Sequence, residues 1–275
     1  MPHGALSSPK PRRLPGGGIH PVSAKRLKLP PGHGAAAGLR AVILAGGKGV
    51  RLHPYTANFP KPLVPLADTP VLEVLMRRLI RFGITDITLT LGHLAELIQA
   101  YFHHRKKLDP QLKLRYIVED EPTGTAGALA MVRQFKGTFL VMNGDLLTDL
   151  DFHELVAFHC RQGAALTIAT HKREIKIDLG VLEFDGDHRI TGYHEKPEKT
   201  YHVSMGIYVY ESKVLRFIKQ GEYLDFPDLV IKLIAAGEKV CAFPSNCLWL
   251  DIGRPDDYTR AQEMFVEKRE RFEYV

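Results

Sequence analysis

The stretch Leu39-Arg40-Ala41-Val42-Ile43-Leu44-Ala45-Gly46-Gly47-Lys48-Gly49-Val50-Arg51-Leu52 decides the architecture. Its first half is a short apolar run, the pattern of a buried strand. Its second half is a glycine-rich turn. Arg51 follows, and ten residues beyond it Lys61 stands inside Pro60-Lys61-Pro62. Glycines tolerate positive φ and let the backbone approach a ligand. Successive N–H groups in such a turn form an anion-binding concavity. Leu44, Ala45, Gly46, Gly47 and Gly49 therefore read as a phosphate cradle at a strand end. Arg51 and Lys61 read as cations that offset charge on a reacting phosphoryl group.

Two other phosphate loops fail on spacing. A Walker A loop needs G-x-x-x-x-G-K-[ST], a frame that Gly47-Lys48-Gly49-Val50 lacks. A dinucleotide fingerprint needs a third glycine where Leu52 stands, and a helix that Pro54, Pro60, Pro62 and Pro65 forbid. Residues 46–69 thus read as a long ordered loop. A glycine pair after a strand is by itself a common turn, so the weight rests on the added cations and the stiffening prolines.

Outward from the loop, strand and helix alternate. The pattern predicts strands at 39–45, 86–91, 114–118, 138–142 and 164–170. Helices are predicted at 70–82, 95–104, 125–135 and 151–161. This is α/β alternation, which calls for a doubly wound, mostly parallel, Rossmann-like sheet. Ligands of such sheets sit beyond the carboxyl ends of the strands. After 178 the texture becomes β-rich, with strands at 181–184, 190–195 and 203–210. Helices at 213–219 and 226–236, strands at 240–243 and 248–252, and a helix at 255–271 complete the chain.

The chain has 275 residues and a formal net charge of +6. Residues 1–38 hold six Lys/Arg, no Asp or Glu, seven Pro and seven Gly, so 39–275 carry 31 charges of each sign. The basic excess belongs to a tail expected to be disordered, which argues against a nucleic-acid partner. No apolar run approaches the ~18–20 residues of a membrane span. Cys160, Cys241 and Cys247 fit neither a disulfide framework nor a zinc spacing, which sets a reducing, cytoplasmic expectation. A homo-oligomer remains open.

The string G-G-x-G-x-R-L-x-P-x-T-x-x-x-P-K-P from Gly46 to Pro62 resembles the signature of sugar-1-phosphate nucleotidyltransferases. Those enzymes join a nucleoside triphosphate (NTP) to a sugar 1-phosphate and release pyrophosphate. Val50 departs from the family pattern, which has Thr or Ser there. The resemblance covers nearly all of 39–275 and implies a nucleotidyltransferase core with an added β-rich sugar-binding part.

Asp145 and Asp251 each follow an apolar run, as a turn residue or helix cap also would. Two strand-end carboxylates could hold a divalent metal against phosphates, and Mg²⁺ favours such oxygen donors. The resemblance assigns both to metal binding, through Asn143-Gly144-Asp145 and Trp249-Leu250-Asp251-Ile252-Gly253. Glu119-Asp120-Glu121-Pro122-Thr123-Gly124-Thr125-Ala126-Gly127 is a second small-residue loop, readable as an acidic turn capping a helix or as a bed for a base. It resembles the base-binding segment of mannose- and heptose-1-phosphate guanylyltransferases, which favours GTP and marks Glu119, Gly124 and Thr125. UTP- or dTTP-dependent transfer to glucose 1-phosphate is the runner-up. Glu195-Lys196-Pro197 alone reads as exposed surface. In the family the tripeptide grips the sugar phosphate, with Gly144 and the position of Ser204 nearby. Ser204 replaces the Asn common in relatives.

The histidines show no metal-ligand spacing and read as packing or surface residues. Asp149-Leu150-Asp151 mimics the D-x-D of glycosyltransferases, a rival reading. The other reading of Asp151, or of a neighbour, is a helix cap. A non-catalytic nucleotide sensor is the third alternative.

Overall fold

The computed structural model describes residues 38–104 and 108–272. The disordered tail expected at 1–38 lies, apart from Gly38, outside the described residues. Eleven strands and seven helices are labelled here in chain order. They are β1 (Arg40–Ala45), α1 (Val71–Arg81), β2 (Asp86–Leu91), α2 (Ala95–His104), β3 (Lys113–Val118) and α3 (Gly124–Gly127). Next come β4 (Thr138–Asn143), β5 (Leu146–Thr148), α4 (Phe152–Gln162), β6 (Leu166–Lys176), β7 (Val181–Phe184), β8 (Ile190–His194) and β9 (Glu198–Glu211). The chain continues through α5 (Phe226–Ala235), β10 (Val240–Ser245), β11 (Trp249–Asp251), α6 (Pro255–Glu267) and α7 (Arg269–Phe272).

Seven strands form the central sheet in the order β10-β6-β9-β4-β1-β2-β3. Only β9 runs antiparallel to its neighbours, β4 and β6; the other pairings are parallel. Alternation along β1 shows why both faces are covered. Ala41 and Ile43 join a core with Leu72, Leu75, Leu79, Ile98 and Phe152 of α1, α2 and α4. Val42 points the other way, into a core with Ala126, Leu129, Leu229 and Leu233. Each of the buried Val, Leu, Ile and Phe side chains contributes about 1.5–3 kcal/mol. A third core packs α6 and α7 against Leu52, Val64, Leu147 and Leu250, under the glycine loop.

The structure departs from the predicted elements in several places: the helix expected at 213–219 is a 3-10 stretch at Ser212–Phe217, and β5 is a strand the pattern does not mark. The helix expected at 125–135 is one α-turn followed by a 3-10 stretch at Ala128–Val132, and the Leu224 carbonyl takes the Ala126 and Gly127 amides. The helix expected at 255–271 breaks at Lys268, whose φ is −127°. Phe272 then turns in to stack on Phe265. The strands β6 and β9 run beyond the predicted limits as a ribbon, pairing from His171–Val203 to Lys176–Glu198. Nearly all of that ribbon is exposed, so no buried-face alternation marks it in the sequence. Residues 46–69 form no α-helix. They hold two 3-10 turns and the strand Pro65–Leu66, which pairs antiparallel with Thr69–Pro70 at the loop's end.

Candidate active site

The glycine loop leaves the carboxyl end of β1, at the middle of the sheet. Gly49 adopts φ +64°, Thr56 Oγ1 donates to its carbonyl at 2.8 Å, and Leu52 is fully buried. Those anchors fix the turn that carries Arg51. The second 3-10 turn, Lys61–Leu63, buries Pro62 and Leu63 and leaves the Lys61 ammonium pointing at the carboxylate of Asp145. The pair is only 10% and 21% exposed, so water screens it far less than a surface pair.

Asp145 follows β4, and β11 pairs antiparallel with β5 so that Asp251 lies opposite Leu146. The Ile252 amide donates to the Asp145 carbonyl at 3.1 Å. A Cβ at position 253 would stand 3.5 Å from Asp251 Oδ2, 3.7 Å from Asp257 Oδ2 and 3.9 Å from Arg51 Nη2. Arg51, Lys61, Asp145 and Asp251 therefore meet at one place. Burial raises the Asp251 pKa, the Asp145 charge raises it further, and Lys61 and Arg51 pull it back.

Arg51, Lys61 and Asp145 line a cleft of about 690 Å³; Asp251 does not line it, although Gly253 beside it does. Leu44, Gly46, Gly47, Gly49, Glu119, Gly124 and Thr125 line the same cleft. Ala45 is buried behind the loop, and the Gly144 amide donates to the Leu44 carbonyl at 2.9 Å. Glu119 spends one oxygen on the Thr123 amide (3.3 Å) and hydroxyl (2.5 Å), bracing its own loop. Asn143, from the Asn143-Gly144-Asp145 turn, also lines the cleft, as do Thr90, His93, Tyr223 and Asp225, which have no marker in the sequence beyond their place after a strand or before a helix. Glu195, Lys196 and Ser204 do not line it. Glu195 accepts from the Tyr193 hydroxyl at 3.0 Å on the exposed β8 arm, and Ser204 Oγ donates to Tyr208 Oη at 3.3 Å.

A larger depression of about 840 Å³ lies against β3 and α2. Its described lining includes the acids Glu96 and Asp109 and no Lys or Arg, which suits no phosphate. The D-x-D carboxylates are committed elsewhere. Asp151 caps α4, accepting the Glu154 amide at 2.9 Å. Asp149 accepts the Leu248 amide at 2.7 Å and pairs with Arg271. His159 is a buried packing residue between Thr167 and Glu211.

Residues 40–268 match the sequence model of the nucleotidyl transferase family. The chain belongs to that family. Among similar nucleotidyl transferases, the UTP–glucose-1-phosphate uridylyltransferase of Synechocystis sp. is 34% identical over 241 residues, covering 81% of this chain and 62% of that protein. The mannose-1-phosphate guanylyltransferase catalytic subunit beta of Danio rerio is 30% identical over 237 residues, covering 83% of this chain and 65% of that protein. The chain thus spans less than two thirds of the length of these curated relatives. HddC from Yersinia pseudotuberculosis, complexed with GMP-PN, superposes with a TM-score of 0.62 at 28% identity, over 82% of this chain and 99% of its own. The parallel sheet with its antiparallel insertion is the family's fold.

No helix among the described residues is long and apolar enough to cross a membrane.

Proposed function

We propose that residues 39–275 transfer a nucleoside monophosphate from an NTP, with GTP favoured, to a sugar 1-phosphate, releasing pyrophosphate. The observation that carries this reading is the meeting of Arg51 and Lys61 with Asp145 and Asp251 beside the glycine loop. A sugar-phosphate oxygen attacks the α-phosphorus in line. The bond from that phosphorus to the bridging oxygen breaks, and pyrophosphate carries the electron pair away. The attacking phosphate is already ionised near neutral pH, so no general base is required. The protein's part is to position two anions and to offset the charge that builds between them.

Backbone at Gly46, Gly47 and Gly49 cradles the phosphates, Arg51 holds the triphosphate and the leaving group, and Lys61 reaches the reacting centre. Leu44 and Ala45 support the loop, while Glu119, Gly124 and Thr125 bound the base. Glu195, Lys196, Gly144 and Ser204 take the sugar 1-phosphate. Because Glu195, Lys196 and Ser204 stand outside the cleft lining, this role requires the β8 arm to approach when the sugar binds.

Mg²⁺ fits the carboxylates present. Asp145 Oδ1 is buried with no hydrogen-bond partner, and Asp251 is the nearby second carboxylate that faces the same cations. Among the described residues no group of three or more metal-ligating side chains assembles. Mg²⁺ suits that, since it usually takes one or two carboxylates and completes its shell with phosphates and water. Held by Asp145 and Asp251, it would neutralise charge shared by the two substrates.

GTP is favoured by the likeness of the 119–127 loop to guanylyltransferases and by the Danio rerio and HddC relatives. The Synechocystis relative keeps UTP in view. The cytoplasm suits a chain with three free thiols. A pyrophosphate-release screen crossing GTP, UTP, dTTP, CTP and ATP with hexose and heptose 1-phosphates tests the reading. Release with GTP and a sugar 1-phosphate is expected; release with no pair, or hydrolysis of an NDP-sugar instead, overturns it.

A further inference from the structure

The base-binding loop is held from outside by a segment that lies about a hundred residues away. The Leu224 carbonyl accepts the Ala126 amide at 3.0 Å and the Gly127 amide at 2.9 Å, and the Leu224 amide donates to the Thr123 carbonyl at 2.8 Å. Gly124 turns through φ +84°, and a Cβ there would lie 2.5 Å from the Leu224 carbonyl oxygen. Next to Leu224, Asp225 Oδ1 accepts both the amide (3.1 Å) and the hydroxyl (3.2 Å) of Thr125. Thr125 Oγ1 in turn accepts the Phe226 amide at 2.8 Å. The other carboxylate oxygen, Asp225 Oδ2, accepts the Tyr223 hydroxyl at 2.9 Å. Tyr223 and Asp225 both line the cleft.

We propose that Asp225 is a positioning residue for the nucleobase. It acts through Thr125 and Tyr223, fixing one wall of the base pocket while leaving the phosphate cradle to the glycine loop. The argument rests on the nucleotidyl-transfer reading above. Thr125 sits in the first turn of α3, whose amides need acceptors from outside the turn. Asp225 supplies one, and a charged acceptor makes the stronger bond. With one oxygen it orders the loop under the base; with the other it aims the exposed Tyr223 ring beside it. The Thr125 amide and the Tyr223 and Thr125 hydroxyls hold the Asp225 carboxyl below its ordinary pKa, as a carboxylate committed to three donors requires.

The test compares full-length wild type, Asp225→Ala, Asp225→Asn and Thr125→Ala by calorimetric titration with GTP, UTP and inorganic pyrophosphate. Asp225→Ala should weaken binding of the favoured nucleotide about tenfold, the scale of one lost charged hydrogen bond, with pyrophosphate binding changed less than about twofold. In turnover its NTP KM should rise with little change in kcat or in the sugar-phosphate KM. Asp225→Asn keeps an acceptor for Thr125 and should recover most of the affinity. Thr125→Ala, which keeps the amide contact, should fall between them and serves if Asp225→Ala does not fold. Unchanged nucleotide binding in Asp225→Ala and Thr125→Ala, or equal loss of nucleotide and pyrophosphate, overturns the proposal. A wild type that binds none of the NTPs overturns the nucleotidyl-transfer reading itself.

Discussion

The carboxylate of Asp145 is divided: one oxygen pairs with the Lys61 ammonium across 84 residues of chain, and the other is buried without a partner. One oxygen thus holds a cation in the cleft while the other has no hydrogen-bond donor. Neither arrangement stabilises the fold to the extent that a packed apolar pair would. Both make sense if anionic ligands and a cation enter together.

That division gives the first expectation. Lys61→Ala and Asp145→Asn should each lower kcat by at least about 10²-fold, the scale seen when one charge-stabilising group is removed. Pyrophosphate release measures the rate, and far-UV circular dichroism checks that the fold survives. A rate within about threefold of wild type in either variant would sink the role given to that residue.

The same oxygen can be read without turnover. Asp145→Asn should weaken Mn²⁺ binding, followed by electron paramagnetic resonance in the presence of a non-hydrolysable NTP. Equal affinity in variant and wild type would remove Asp145 from the metal site.

Much of this was legible beforehand. The strand-loop transition at Ala45–Gly46 and the helices expected at 70–82 and 151–161 are local chemistry, carried by backbone freedom and by apolar periods. Asp151 as a helix cap falls in the same class. What stayed hidden is long-range. Nothing in the spacing says that β11 pairs with β5, yet that pairing brings Asp251 beside Asp145. Asp225 looks like any acid before a helix until Thr125 is seen to lean on it. The exposed ribbon of β6 and β9 extends past the predicted strands because strands without a buried face have no alternation to detect.

Gly206 shows a second long-range constraint. Its φ is +70°, and a Cβ there would lie 2.6 Å from Asn143 Nδ2, at the end of β4 in the cleft. Gly206→Ala should cost more than about 1 kcal/mol, a fall in Tm of at least about 2–4 °C. It should also lower activity by displacing Asn143. Thermal unfolding and pyrophosphate release check the two effects, and an unchanged Tm would mean the bulge at Ser204–Tyr208 absorbs a side chain freely.

His159 gives the fold an acid sensitivity unrelated to the cleft. Its imidazole is buried against Thr167 and Glu211, and burial lowers its pKa below the ordinary 6.5 despite the carboxylate beside it. Below pH 6.5 the unfolded chain therefore takes up a proton that the native state resists. Stability from this group is full above 6.5 and is lost as the pH falls towards the lowered native value. His159→Gln should flatten the dependence of unfolding free energy on pH in that window, by at most about 1.4 kcal/mol per pH unit. Denaturant titrations at several pH values would show it; a constant offset at every pH would rule it out.

Lys196 tests whether the exposed β8 arm serves the sugar phosphate. It sits at φ +45°, a left-handed conformation that Asn tolerates better than most residues, so Lys196→Asn removes the charge with least disturbance to the backbone. A charge-assisted contact to phosphate contributes roughly 1.5–3 kcal/mol. The KM for the sugar 1-phosphate should therefore rise about 10- to 100-fold, while the KM for the NTP stays within about twofold. Initial rates with each substrate varied in turn separate the two constants. A rise in the NTP constant alone would place Lys196 on the wrong substrate, and no change in either would leave the arm outside the reaction.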